Sequence, residues 1–235
     1  LKRYSMIGDG LSHVSFGALA IAAALNMAPL AVSIPLVIIA AFFLLRITES
    51  GSMRGDAAIA VFSSSSLAIG IIVTGLTTGI TTDVCNYMFG SVLAMSRTDV
   101  YVSVILSFAV LALFVVFYNR IFAVTFDEPF SRATGVRVDL YNSALAVLTA
   151  VTIVLGMRIM GALLISSLII FPALSAMRVC RYFKGVIICA AIISAVCFFI
   201  GICASFYLEI AVGASVVIAN LIVFVTFSAV ARLRR

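Results

Sequence analysis

Residues 98–120 read TDVYVSVILSFAVLALFVVFYNR, and between Asp99 and Arg120 there is no charged side chain. A helix rises about 1.5 Å per residue, so this run is long enough to cross about 30 Å of hydrocarbon. The same reading along the rest of the chain gives eight apolar segments bounded by polar breaks, at about 8–27, 30–47, 56–79, 98–119, 139–157, 160–177, 185–207 and 211–231. The fold class is therefore all-α, a polytopic membrane protein whose backbone polar groups are satisfied inside each helix. Composition agrees: the 235 residues are 64% hydrophobic and 10% charged, with a mean hydropathy of +1.30. Soluble domains are about half apolar and a quarter charged. Short connections leave no room for a soluble domain, so residues 1–235 read as a single transmembrane domain.

The net charge of +6 does not point to nucleic acid, because the basic residues fall in short clusters between apolar segments. With Lys2 and Arg3 in the cytoplasm, thirteen of the 15 basic residues lie inside and only Arg97 and Arg158 lie outside. The opposite orientation reverses this asymmetry, so the positive-inside rule places both ends of the chain in the cytoplasm. The chain opens on Leu1-Lys2-Arg3-Tyr4-Ser5, without methionine or a leading apolar segment, which predicts a preceding segment. Outside, Asp83, Asp99 and Glu209 accompany the two arginines as a solvated surface on which a binding protein could dock. The five cysteines, Cys85, Cys180, Cys189, Cys197 and Cys203, show no C-x-x-C spacing and read as small buried hydrophobes rather than ligands or disulfides.

Two segments depart from the spanning pattern. Thr81–Ser96, TTDVCNYMFGSVLAMS, is too short to cross the membrane and reads as a re-entrant or interfacial helix on the outer side. Counting it as a span would also reverse every later loop. The second segment is Phe126-Asp127-Glu128-Pro129-Phe130-Ser131-Arg132-Ala133-Thr134-Gly135-Val136-Arg137 on the cytoplasmic side. Asp127 resembles an N-cap, Pro129 suits a first helical turn and Gly135 a C-terminal stop. The segment predicts a short amphipathic helix that docks a cytoplasmic partner, with a simple surface turn as the alternative.

Chemistry is concentrated in Gly8-Asp9-Gly10-Leu11-Ser12-His13. Asp9 and His13, the chain's one histidine, are spaced i, i+4 and so share a helix face. An aspartate inside lipid costs about 3 kcal/mol on insertion scales, and such groups usually face a bundle interior. Carboxylate oxygen and imidazole nitrogen both ligate zinc, manganese or iron. Two ligands are too few for a closed structural site, but suit an ion that has to be released. The chemistry alone leaves a second reading open, with Asp9 as a helix cap and His13 as an interhelical hydrogen-bonding group. Ser63–Ser66 sweep round the third span, so some face neighbouring helices for packing, while Ser64 and Ser65 are candidates for lining a hydrated path. Pro172 predicts a kinked or interrupted helix. No H-E-x-x-H, G-x-S-x-G or Walker A sequence is present, so energy for pumping has to come from elsewhere.

Taken in order, MIGDGLSHVSFGALAIA, GDAAIAVFSSSSLAIGI from Gly55, NYMFGSVLAMSRTDV from Asn86, FDEPFSRATGV from Phe126 and GALLISSLIIFPALSAMR from Gly161 resemble the permease subunit of bacterial zinc, manganese and iron ABC importers. That resemblance implies a fold similar to the cobalamin-type importers and a first helix preceding this chain. It implies two permease copies, two cytoplasmic ATPases that bind the ATP, and an extracytoplasmic metal-binding protein. The permease sits in the cytoplasmic membrane and holds no permanent cofactor; the divalent metal is its cargo. By the same resemblance, Asp9 and His13 fall on metal-contacting positions. Phe126, Asp127, Phe130, Arg132 and Gly135 fall in the segment that couples to the ATPase. Ser64 stands where some zinc members carry a further histidine. The rival readings are an importer of the same architecture for a metal chelate such as a siderophore or haem, and a passive ion channel.

Overall fold

The structure, a computed structural model, describes residues 5–50, 55–77, 97–180 and 182–233. Among them nine helices follow one another: α1 (Ser5–Ala24), α2 (Pro29–Ser50), α3 (Gly55–Leu76), α4 (Arg97–Phe126), α5 (Glu128–Ala133), α6 (Val138–Met160), α7 (Ala162–Val179), α8 (Phe183–Leu208) and α9 (Val212–Leu233). Eight of them are long and apolar enough to cross a membrane, and each coincides with one of the apolar segments of the sequence. The ninth, α5, is the short capped helix expected between the fourth and fifth spans. Thr81–Ser96, expected as a short outer helix, lies outside the described residues, as do Lys2 and Arg3.

Helix α4 differs most from expectation, running on to Phe126 instead of ending near residue 119. Arg120-Ile121-Phe122-Ala123-Val124-Thr125-Phe126 holds no glycine or proline, so nothing stops the helix before Asp127. Its 30 residues reach about 45 Å, well beyond the hydrocarbon. The last turns therefore carry the chain beyond the apolar layer, directly onto α5. In α7 the helix passes through Pro172 without interruption, so the proline costs a backbone hydrogen bond but does not end the element.

Around α1 the other helices are arranged as a cage. It packs on α2, α3, α6 and α7, while α4 lies outside on α6 and α8 and α9 pack on α7. Of the apolar stretch Ile7–Ala24, 72% is buried, against 6% for that of α4. Small residues make this possible: Gly8, Gly10, Ser12, Ser15, Gly17, Ala18, Ala20 and Ala22 let neighbouring backbones come close. The side carrying Ile7, Leu11, Val14 and Ala18 joins Val37, Ala41 and Leu44 of α2 and Ala150, Ile153 and Val154 of α6 in the main core. The large apolar side chains exposed on α4 and α8 form a surface suited to lipid.

The tightest approach to α3 is at Gly17. A Cβ there would stand 2.8 Å from the main-chain oxygen of Ser66, and a backbone atom cannot swing aside as a side chain can. Gly75 on α3 has open space around it. Gly17→Ala is expected to cost about 1–3 kcal/mol by overpacking, lowering the thermal unfolding midpoint in detergent, whereas Gly75→Ala leaves it unchanged or slightly raised. Equal midpoints for the two variants would contradict the close α1–α3 approach.

Candidate metal-contacting face and docking helix

Helix α1 begins at Ser5, so Asp9 lies inside it and does not cap it. At about 100° per residue, three sides of α1 can be assigned from its neighbours. Gly8 and Ser12 face α7: a Cβ on Gly8 would stand 3.5 Å from Ile169 Cγ2, and Ser12 Oγ lies 3.1 Å from Ser166 Oγ. Gly10 and Gly17 face α3, Gly10 pointing at Ile59 and Ser63. Asp9 and His13 project between these two sides, toward the seam where α3 and α7 flank α1, and both are half-buried.

A polar contact fixes this part of α1. Ser12 is fully buried and its Oγ donates to the main-chain carbonyl of Asp9 at 2.7 Å. Its single proton is then committed, which makes Ser166 the donor in the Ser12–Ser166 pair. Interhelical hydrogen bonds of this kind contribute about 0.6 kcal/mol in membranes, enough to set the rotation of α1 against α7. One turn beyond, on the outer side in the orientation set by the charges, Phe16 closes the same seam. Its ring lies against Gly70 of α3 and packs with Leu19, Met157, Ala162 and Ile165. The acid–imidazole pair thus lies on the N-terminal side of an apolar layer. Among the described residues no group of three or more His, Cys, Asp or Glu side chains that could hold a metal ion comes together.

The serine run divides. Ser63 Oγ donates to the Ile59 carbonyl at 2.8 Å, and Ser66 lies under Gly17, so these two belong to the side of α3 that meets α1. Ser64 and Ser65 are exposed on other sides of the helix and do not join Asp9 and His13 within one copy.

Between α4 and α6, the expected capping is present in detail. The Asp127 carboxylate accepts from the Phe130 N–H at 3.0 Å, Pro129 sits in the first turn, and α5 ends at Ala133 with Thr134 as its cap. Gly135 follows with φ +81°, a conformation that disfavours any residue with a Cβ. Arg132 donates to Glu128 at 3.2 Å and to Asp139 at 2.9 Å. The second pair ties α5 to the first turn of α6, so Arg132 braces the helix as well as presenting charge. Phe126 and Phe130 are exposed, 71% and 65%, and stand out as an apolar pair beside these charged groups.

A model of the ABC 3 transport family matches residues 1–231. The chain belongs to the ABC 3 transport family. With eight membrane-length helices it is a multi-pass membrane protein of that family. It is similar to the high-affinity zinc uptake system membrane protein ZnuB of Haemophilus influenzae, 29% identical over 224 residues, covering 95% of this chain and 86% of the relative. It is also similar to the manganese import system permease protein ScaB of Streptococcus gordonii, 26% identical, covering 95% of this chain and 80% of the relative. Among solved structures, PsaBC from Streptococcus pneumoniae in complex with Fab superposes with a TM-score of 0.84 at 28% identity, over 95% of this chain and 80% of that one. The all-helical permease architecture expected from the sequence is therefore that of this family chain.

Sequence reasoning did not single out Ser12, Ser166, Phe16 or Asp139. Ser12 and Ser166 are small hydroxyls at helix positions like many others, and only the packing of α1 on α7 pairs them. Asp139 sits seven positions after Arg132, and the turn at Gly135 is what brings it back.

Arg132→Ala removes two exposed ion pairs and is expected to lower stability by less than about 1 kcal/mol. Gly135→Val forces a β-branched residue to positive φ, a cost of about 2 kcal/mol. Thermal unfolding in detergent should show the larger loss for Gly135→Val; the reverse order would contradict this reading of the turn.

Proposed function

We propose that this ABC 3 family chain is the transmembrane subunit of an ATP-driven importer that carries a divalent transition metal ion, zinc, manganese or iron, across the bacterial cytoplasmic membrane. The observation that carries the reading is the placement of Asp9 and His13, an oxygen and a nitrogen donor on one side of the most enclosed helix. Asp9 and His13 contact the ion in transit. Two ligands leave the remaining coordination positions to water or to a second copy of the chain, and an incomplete ligand set lets the ion go. The relatives named above, a zinc uptake membrane protein and a manganese import permease, support the same class of cargo.

The α5 segment is the docking element for a separate cytoplasmic ATPase. Phe126 and Phe130 supply an apolar contact, Asp127 and Gly135 define the ends of the helix, and Arg132 keeps it rigid against α6. A push on α5 therefore reaches α6 directly, and α6 packs on α1. An extracytoplasmic metal-binding protein delivers the ion to the outer mouth. Two copies of the chain complete the membrane part, and Ser64 and Ser65 line the path only where a second copy closes over α3. Nucleotide binding and hydrolysis take place on the partner, which switches the pair of permeases between outward and inward states.

In vesicles containing the whole complex, Asp9→Ala with His13→Ala is expected to lower metal uptake at least tenfold while the ATPase still co-purifies. Uptake at the normal rate would overturn the assignment of the pathway. A passive channel would leak metal from vesicles that hold the permease without its ATPase, and a chelate importer would prefer the chelate over the free ion in competition.

A further inference from the structure

Five helices meet around a small cavity at the end of the bundle where α1 starts and α4 runs past the apolar layer. It holds about 190 Å³ and is lined by Ile7 of α1, Leu45 of α2, Ile121 of α4, Leu145 of α6 and Phe183 of α8. A cavity lined in this way stays dry and takes apolar matter instead. Through Phe114, Leu145 and Thr149, which line both, it continues into a groove of about 610 Å³ between α4, α6 and α7. From Thr125 at one end to Ser107 at the other, the path follows α4 for about 27 Å. An acyl chain of one leaflet needs about 15 Å, half the hydrocarbon thickness.

Positive charge gathers at the cavity end of this path. Arg46 follows Leu45, Arg120 precedes Ile121 and Lys184 follows Phe183, so three helices each set an exposed cation beside a lining residue. The ion pairs among the described residues both belong to Arg132, and none of these three cations joins one. Phe183 packs on Phe122 and Tyr118, with ring centroids 4.9 and 6.0 Å apart, and the Lys184 Nζ lies 5.9 Å from the centre of the Tyr118 ring. That contact holds Lys184 on the side of α8 that faces α4. Aromatic rings beside Lys and Arg are what a spanning helix presents to the headgroup layer.

We propose that this end of the bundle binds one anionic phospholipid, its phosphate on Arg46, Arg120 and Lys184 and an acyl chain in the cavity and groove. Three cations at one mouth favour a headgroup of net negative charge over a zwitterionic one. The apolar path behind them asks for a chain, which inorganic phosphate lacks. Inside the cavity the chain meets Ile7, two residues before Asp9 on α1, so the bound lipid braces α4 and α8 against the central helix. The inference rests on the membrane location of the bundle and not on the metal reading of Asp9 and His13.

The test is native mass spectrometry of the purified chain in detergent with phosphatidylglycerol or phosphatidylcholine. The wild-type chain should retain one phosphatidylglycerol at least about tenfold more tightly than phosphatidylcholine, and inorganic phosphate should not displace it. The combined variant Arg46→Gln, Arg120→Gln and Lys184→Gln should lose that preference, while Arg178→Gln at the end of α7 keeps it. A phosphatidylglycerol with a photoreactive group on its acyl chain should cross-link to peptides carrying Ile7, Phe114 or Leu145. Equal retention of the two lipids by the wild-type chain, displacement by phosphate, an unchanged preference in the combined variant, or cross-links elsewhere overturn the proposal. If the combined variant does not fold, the wild-type comparison and the cross-link decide.

Discussion

An ionisable pair inside hydrocarbon has to be enclosed by protein, and in this molecule the enclosure depends on how closely α3 and α7 can approach α1. Gly17 allows the α3 backbone to come within contact of α1, and Ser12 with Ser166 ties α1 to α7. Larger residues on these sides would widen the seam and admit lipid or water to Asp9 and His13. The outer helices follow from the same requirement, since α4, α8 and α9 present apolar side chains outward and leave the polar groups to the centre. Small residues set the geometry here more than hydrophobic burial does, as expected where lipid tails are as apolar as leucine.

Two further consequences depend on this arrangement. The pair lies in the N-terminal half of α1, before the packed layer of Phe16, Leu19, Met157 and Ile165, so Asp9 and His13 are separated from the far end of α1 by apolar contacts. The short helix α5 is also mechanically linked to the helices around the pair. Helix α4 outruns the membrane to place α5, Arg132 fastens α5 to α6, and α6 forms part of the cage around α1. A contiguous packed route of this kind gives a partner a physical means of biasing the central helix.

Much of this was legible in the sequence, and the exceptions have identifiable causes. Eight apolar segments of spanning length are visible because hydrocarbon thickness imposes a length that few other constraints mimic. The end of α4 was missed because Asn119 and Arg120 look like a boundary, yet helix propensity persists to Asp127. Asp9 and His13 could be placed on one face from their spacing, but the sequence left open whether Asp9 caps the helix, which the start of α1 at Ser5 decides. Which helices flank the pair was not readable, since glycine, alanine and serine occur on several sides of α1 and no apolar stripe orients it. Ser63–Ser66 show the same limit: only packing separates Ser63 and Ser66, turned to α1, from Ser64 and Ser65. Caps were the most readable detail, because Asp127, Pro129 and Gly135 each have a local physical role that needs no tertiary context.

The central claim is that a metal ion touches Asp9 and His13 inside α1. The chain has one histidine, so an imidazole nitrogen on a bound ion identifies His13 without ambiguity. The direct measurement is nitrogen hyperfine coupling, by electron paramagnetic resonance, on manganese(II) bound to the untagged chain in detergent. The account predicts coupling from a single imidazole nitrogen in the wild-type chain and its loss in His13→Ala. Bound manganese whose spectrum shows no such nitrogen, or is the same with and without His13, would contradict it.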